Sequence, residues 1–237
     1  MSGLLSAEHL GALIATAVFA AITVVAARTN QGPWIKGLAV VLVADELSWW
    51  IFLIAGGQPN SPLVQSLPLQ LCDVAIFVAA LALWFRSAWL VELTWFWGLA
   101  GSLQALLTPD LPQHFPSYPY LQYYIAHGGI VAAALLLVIG LGLRPRALGV
   151  VRAAALTVAY VAFVGIVDAV TGSNYMYLRS KPPSPTLLDV MGPWPWYLVS
   201  AAGVGVVLFA VLEAPFMLRL RRGRSAELCA EAPSRRG

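Results

Sequence analysis

The chain has 237 residues, 59% of them hydrophobic and 11% charged, with a formal net charge of +3. Soluble domains carry about 25% charged residues, so a chain this apolar, with a mean hydropathy of +0.77, cannot be clothed in a polar surface, nor is it polar enough to remain disordered. The composition places it in a membrane, and the concentration of its Lys and Arg in short loops and in Arg219–Arg236 argues against a nucleic-acid partner.

A bilayer core about 30 Å thick asks for about 20 apolar residues per helix. Seven stretches qualify in chain order: His9–Ala27, Lys36–Ala55, Leu67–Phe85, Ala88–Leu107, Tyr120–Leu143, Val150–Thr171 and Pro195–Leu218. The expected fold class is all-α, a polytopic bundle of about seven transmembrane helices. One domain is expected over 1–218, followed by a basic, disordered cytoplasmic tail over 219–237. The first span is not expected to be a cleaved signal peptide, because Met1–Leu10 contains no Lys or Arg. Clusters of Gly, Pro and Asn break the chain at Asn30–Pro33, Gly56–Pro62, Thr108–Pro112 and Lys181–Pro185. Hydropathy barely dips at Arg86-Ser87, but without a hairpin there one helix of roughly 40 residues would be needed, too long for a bilayer.

Twelve of the 14 Lys and Arg residues fall on one face of this arrangement, leaving Arg179 and Lys181 on the other. The excess of cations predicts an N-terminus outside, a cytoplasmic C-terminus and a multi-pass position in the cell membrane. Trp34, Trp84, Trp89, Trp194 and Trp196 fit interfacial belts. Gly98, Gly101, Gly128, Gly129, Gly203 and Gly205 fit close helix packing. Cys72 and Cys229 are not expected to pair.

Polar side chains inside spans are costly and mark functional positions. Here they gather toward the outer ends of spans 3 to 7: Gln70, Cys72 and Asp73; Gln104 and Thr108; Tyr123, Tyr124 and His127; Asp168 and Asn174; and Asp189 beside Trp194 and Trp196. Asp45, Glu46 and Glu92 are expected elsewhere, toward the midplane or the cytoplasmic side. With a rise of about 1.5 Å per residue, Cys72 lies roughly 7 Å below Leu67 and His127 roughly 10 Å below Tyr120. The two are level enough to share an outward-facing pocket. Such a pair permits thiol chemistry, with Cys72 as nucleophile, His127 as base and then acid, and Gln70 or Gln104 donating to an oxyanion. Helix N-termini and imidazoles are features that favour a thiolate. The residues otherwise allow an inert packing cysteine. No metal-ligand spacing, P-loop, dinucleotide fingerprint or Gly-x-Ser-x-Gly elbow occurs, so no metal and no cofactor is expected.

Several strings are more specific than composition: Leu67-Pro68-Leu69-Gln70-Leu71-Cys72, Gln104-Ala105-Leu106-Leu107-Thr108-Pro109, the region of His127, Asn174-Tyr175-Met176-Tyr177-Leu178 and Gly192-Pro193-Trp194-Pro195-Trp196-Tyr197. Together they resemble the YwaF-like bacterial integral membrane family, which is related to the animal transmembrane acyltransferase of ether-phospholipid remodelling. The resemblance covers roughly Leu10 to Phe216. It implies a Cys–His active site, with Cys72 matching the family's nucleophile and His127 its histidine.

The expected function is therefore a lipid acyltransferase or acyl hydrolase exchanging chains between phospholipid and lysophospholipid, with membrane phospholipids as both solvent and substrate. Asn174, Tyr175, Tyr177 and Lys181 of loop 6–7, with Arg179, are expected to bind the phosphate or headgroup, and Asp189 and Tyr124 are further substrate-binding candidates. A transporter or small-molecule receptor is the alternative, using Asp45, Glu46 and Asp168 as a proton or cation path. A purely structural role in membrane assembly is the third reading.

Overall fold

The computed structural model describes residues 6–57, 67–183 and 186–231, with side chains as far as residue 218. The expected break at Gln58–Pro62, Ser184-Pro185, the side chains of the basic C-terminal stretch with Cys229, and Met1–Leu5 lie outside those residues.

Leu71 begins a helix, and not Leu67, because Gln70 is extended (φ −67°, ψ 146°). Among the described residues seven long helices run in order: α1 (Ala7–Thr29), α2 (Trp34–Phe52, prolonged by a π-helical turn Leu53–Gly57), α3 (Leu71–Phe85), α4 (Ala88–Leu107), α5 (Tyr118–Gly140), α6 (Gly149–Thr171) and α7 (Trp196–Glu231). No strand occurs among the described residues. Six of the helices are long and apolar enough to cross a membrane, while α3 has 15 residues. This is a multi-pass membrane bundle.

Local chemistry sets the boundaries. Ser6 caps α1, its hydroxyl accepting the His9 N–H at 3.2 Å. At the hairpin between α3 and α4, Arg86 turns left-handed (φ 52°) and Ser87 is extended, so the chain reverses where hydropathy hardly dips. Pro119 occupies the first turn of α5, where its missing N–H costs nothing. α7 runs on into the basic stretch as far as Glu231.

The core lies where α3, α4 and α5 meet. In the most apolar stretch of α4 and of α5, 61% of residues are buried, against 6% in α7, so α7 keeps an apolar surface for lipid. Small residues allow the close contacts. A Cβ on Gly129 of α5 would stand 2.3 Å from Leu42 Cδ2 of α2, and one on Gly98 of α4 would stand 3.3 Å from Ala134 Cβ of α5. Gly203 and Gly205 do not act this way, since nothing lies within 4 Å of either position.

The two ends of the bundle differ. At one, Glu92, 2% exposed, is clamped by Arg146 (Nε–Oε1 2.8 Å) and Arg152 (Nη2–Oε1 2.8 Å), tying α6 and its preceding loop to α4. Arg28 donates to Ile139 O and Arg86 to Gln31 at this same end. At the other end meet the start of α1, the segment before α3, the α4–α5 loop and the long 172–195 loop. That second end holds the candidate site.

Candidate functional site

Four hydrogen bonds fix the extended segment that leads into α3. Tyr175 Oη accepts the Leu67 N–H at 2.8 Å, Tyr160 donates to Leu69 O at 3.0 Å, and Asp73 Oδ2 accepts the Gln70 N–H at 3.0 Å. Gln70 Oε1 in turn accepts the Met176 N–H at 2.8 Å. Leu71 being the first helical residue, Cys72 stands in the first turn of α3, among backbone N–H groups that have no partner inside the helix.

Opposite stands α4, interrupted by the π-helical turn Gly98–Ser102. A π turn carries an extra residue and re-aims the side chains beyond it. Ser102 Oγ comes to 4.0 Å from Cys72 Sγ as a weak donor, and Gln104 faces the space between the helices. On α5, Tyr123 and His127 are four apart and share a stripe; their ring centroids are 4.1 Å apart. The His127 Nδ1 is 2.8 Å from Tyr123 O, and a carbonyl only accepts, so Nδ1 carries the proton and Nε2 keeps the lone pair.

These elements enclose a cavity of about 610 Å³, walled by Cys72, His127, Gln70, Gln104 and Tyr177 together with Asp73, Glu46, Gln122 and apolar side chains of α7 such as Val204 and Leu208. Cys72 and His127 thus face one cavity from α3 and α5. No hydrogen bond joins them: the thiol's partner is Ser102 and the ring's is Tyr123 O. Tyr177 Oη donates to Asp110 at 2.6 Å, and burial first, then this carboxylate, raise its hydroxyl above the usual tyrosine value.

Other expected site residues stand away from the cavity wall. Asn174 organises its own loop, donating to Ser180 O and accepting from Arg179 N and Ser180 N. Tyr175 is buried, holding Leu67 while its N–H meets Asp168 Oδ1 at 2.9 Å. Lys181 lies over the Tyr197 ring and donates to Asp189 O; Arg179 donates to Asp168 O and Ser173 O. Neither cation lines the cavity, so the expected phosphate site is not assembled there. Asp189 accepts the Thr186 N–H and caps the short 3-10 turn Leu187–Met191. Tyr124, one residue from Tyr123, is turned about 100° around α5. Its hydroxyl meets His9 Nδ1 at 2.7 Å on the far side of that helix.

Glu46, expected away from the cluster toward the midplane or the cytoplasmic side, is part of the cavity wall. It lines the cavity because α2 runs opposite to α3, so its C-terminal half approaches the end where α3 begins. Glu46 accepts from Trp50 Nε1 at 3.0 Å, and the neighbouring Asp45 accepts from Gln122 at 3.3 Å. Counting depth backward from the break after Gly57 would have exposed this placement.

No curated protein and no solved structure matches the chain. The model of the TMEM164 family matches residues 4–213. With most of its length so matched, and with its helices built to cross a bilayer, the chain belongs to the TMEM164 family of membrane proteins.

Proposed function

We propose that this protein is a membrane lipid acyltransferase that carries the acyl chain on Cys72. The observation that supports the reading is the shared cavity: a thiol in the first turn of α3 and an imidazole on α5 whose Nδ1 is engaged line one space whose walls combine polar groups with apolar side chains of α7. The resemblance of the Leu67–Cys72 and Asn174–Leu178 strings to the YwaF-like family and its acyltransferase relative points the same way. The excess of cations at the other end argues for an outward-facing cavity in the cell membrane.

In the proposed reaction, Cys72 Sγ attacks the ester carbonyl of a phospholipid. The S–C bond forms, the C–O bond to glycerol breaks, and the thiol proton passes through His127 Nε2 to the departing glycerol oxygen. A lysophospholipid hydroxyl then attacks the thioester. His127 takes its proton and returns it to the sulfur as the S–C bond breaks. Both halves balance without a cofactor. First-turn N–H groups of α3 and the amides of Gln70 and Gln104 are the donors available to the oxyanion, a role worth about 10²–10³ in rate per donor.

Purified protein incubated with labelled phospholipid and lysophospholipid should exchange label, and intact-mass measurement should find a fatty acyl adduct on Cys72. Cys72→Ala should abolish both, and His127→Ala should slow exchange by about 10²–10⁴-fold. Equal turnover by Cys72→Ala and wild type would remove the nucleophile. The placement of Glu46 and Asp73 on the same wall supports a second reading, a transporter of protons or cations. Uptake in proteoliposomes that depended on Glu46 but not on Cys72 would favour it.

A further inference from the structure

On the far side of α5 from Cys72, a second space of about 640 Å³ opens on the perimeter between α1, α2 and α5. Gly11 and Ala15 form its floor, and a Cβ on Gly11 would meet nothing within 4 Å. Phe19, Val41, Leu121 and Ile125 wall it while remaining more than 40% exposed, so they face bilayer instead of protein. We infer that this groove binds one acyl chain of a bilayer phospholipid whose headgroup carries an ammonium.

Length and depth argue for a single chain. From Glu8 to Phe19 the groove follows α1 for about 16 Å, and from Tyr120 to Gly129 it follows α5 for about 14 Å. Each is about half the roughly 30 Å hydrocarbon core, the depth of one leaflet. The side chains that α2 contributes, Leu38, Val41 and Leu42, come from the half of that helix nearer the arginine-rich end, so they close the groove at its deep end. A transmembrane helix of a second copy would need a face running the full core. Charge argues for the headgroup. Glu8, in the first turn of α1, is the one formally charged residue lining the groove among the described residues, and it stands at the mouth beside Phe115 and Tyr120. His114 holds its Oε2 at 3.2 Å. Aromatic faces beside a carboxylate suit an ammonium and repel an anion. The site is independent of the acyl transfer proposed above, since Cys72 and His127 take no part in its walls.

The test reconstitutes the full chain in nanodiscs of phosphatidylcholine doped with a phosphatidylcholine bearing a diazirine in its acyl chain. After irradiation, labelled peptides are mapped by mass spectrometry. Labelling of 7–19 and 120–129 should exceed that of the lipid-facing residues Val158 of α6 and Val207 of α7. Gly11→Phe, and separately the milder Ala15→Leu, should lose the groove labelling, whereas Cys72→Ala should keep it. A phosphatidylglycerol probe should label the groove about two- to five-fold less, the scale of an exposed ion pair, and Glu8→Gln should erase that difference. Groove labelling no stronger than on α6 and α7, or persisting in both filled variants, would overturn the site. Equal labelling by the two wild-type probes would overturn the headgroup assignment. An unlabelled groove in a dimer that Gly11→Phe converts to monomer would assign the face to a second copy and overturn the lipid.

Discussion

Replacing Gln70 with Leu tests whether the 172–195 loop is held over Cys72 by a side chain of the segment that leads into α3. Leu keeps the backbone N–H that Asp73 accepts and removes the side-chain amide, whose Oε1 accepts the Met176 N–H at 2.8 Å and whose N–H groups face the cavity. Met176 (φ 52°) and Tyr177 (φ 56°) are consecutive non-glycine residues in the left-handed region. Each such residue costs about 1–2 kcal/mol, so the turn carries roughly 2–4 kcal/mol that its contacts must offset. Leaving the Met176 N–H without an acceptor costs about 1–3 kcal/mol, a comparable amount. At tenfold per about 1.4 kcal/mol, opening of the turn should become roughly five- to a hundred-fold more frequent. Hydrogen exchange reads this at the Leu178 and Arg179 amides, whose own acceptors, Tyr175 O and Asn174 Oδ1, are untouched by the substitution. The thermal midpoint should move little, because the α3–α4–α5 core is unchanged. Wild-type exchange at Leu178 and Arg179 in Gln70→Leu would refute the claim that Gln70 holds the turn.

Glu92→Gln should lower the thermal midpoint in detergent, because both arginines then lose the buried carboxylate that joins α6 to α4. Gly129→Ala should cost about 1–3 kcal/mol by overpacking against Leu42. Gly203→Ala, into open space, should stay within ~0.5 kcal/mol, and equal effects in unfolding assays would contradict the packing assigned to α5. Tyr177 has a hydroxyl raised above its unfolded value, so its contribution is fully present below the unfolded pKa, about 10, and is lost as pH rises toward the folded one. Stability should therefore fall above about pH 10, and Tyr177→Phe should shallow that fall at the expense of the Asp110 hydrogen bond at lower pH.

The spans were legible because lipid demands long apolar runs and satisfied backbones; Arg86-Ser87 was legible only through the length limit on a helix. Cys72, His127, Gln70 and Gln104 were legible as one cluster, since depth along an ordered helix follows from residue count; Tyr177, in the loop, joins them only in the fold. Which way a side chain points around the helix was less so. Tyr123 and Tyr124 are adjacent and equally polar, yet one faces the cavity and the other His9. The 172–195 loop has no period to read. Its Asn174, Tyr175 and Asp189 look like ligand residues in sequence because they are polar, and they are polar because irregular backbone at a bundle end must find hydrogen-bond partners.

The shortness of α3 explains why a cavity exists at this end. Its 15 residues rise about 22 Å, roughly 8 Å less than a hydrocarbon core of about 30 Å. Its last turn meets α4 through the Arg86-Ser87 hairpin at the arginine-rich end, so the deficit falls entirely at its first turn. A longer helix would carry its N-terminal N–H groups to the interface, where water satisfies them. At 15 residues this one is too short to reach both interfaces, and the Tyr160, Tyr175 and Asp73 hydrogen bonds satisfy the incoming backbone instead. The space above is roofed by residues of the 172–195 loop and by side chains of α7. Ester carbonyls of phospholipids lie at the boundary between headgroup and chain, so the proposed substrate would lower its ester into that space to reach Cys72. Extending α3 at its N-terminus by two turns would raise its first N–H groups by about 11 Å, and the proposed acyl transfer should be lost even with Cys72 and His127 both intact.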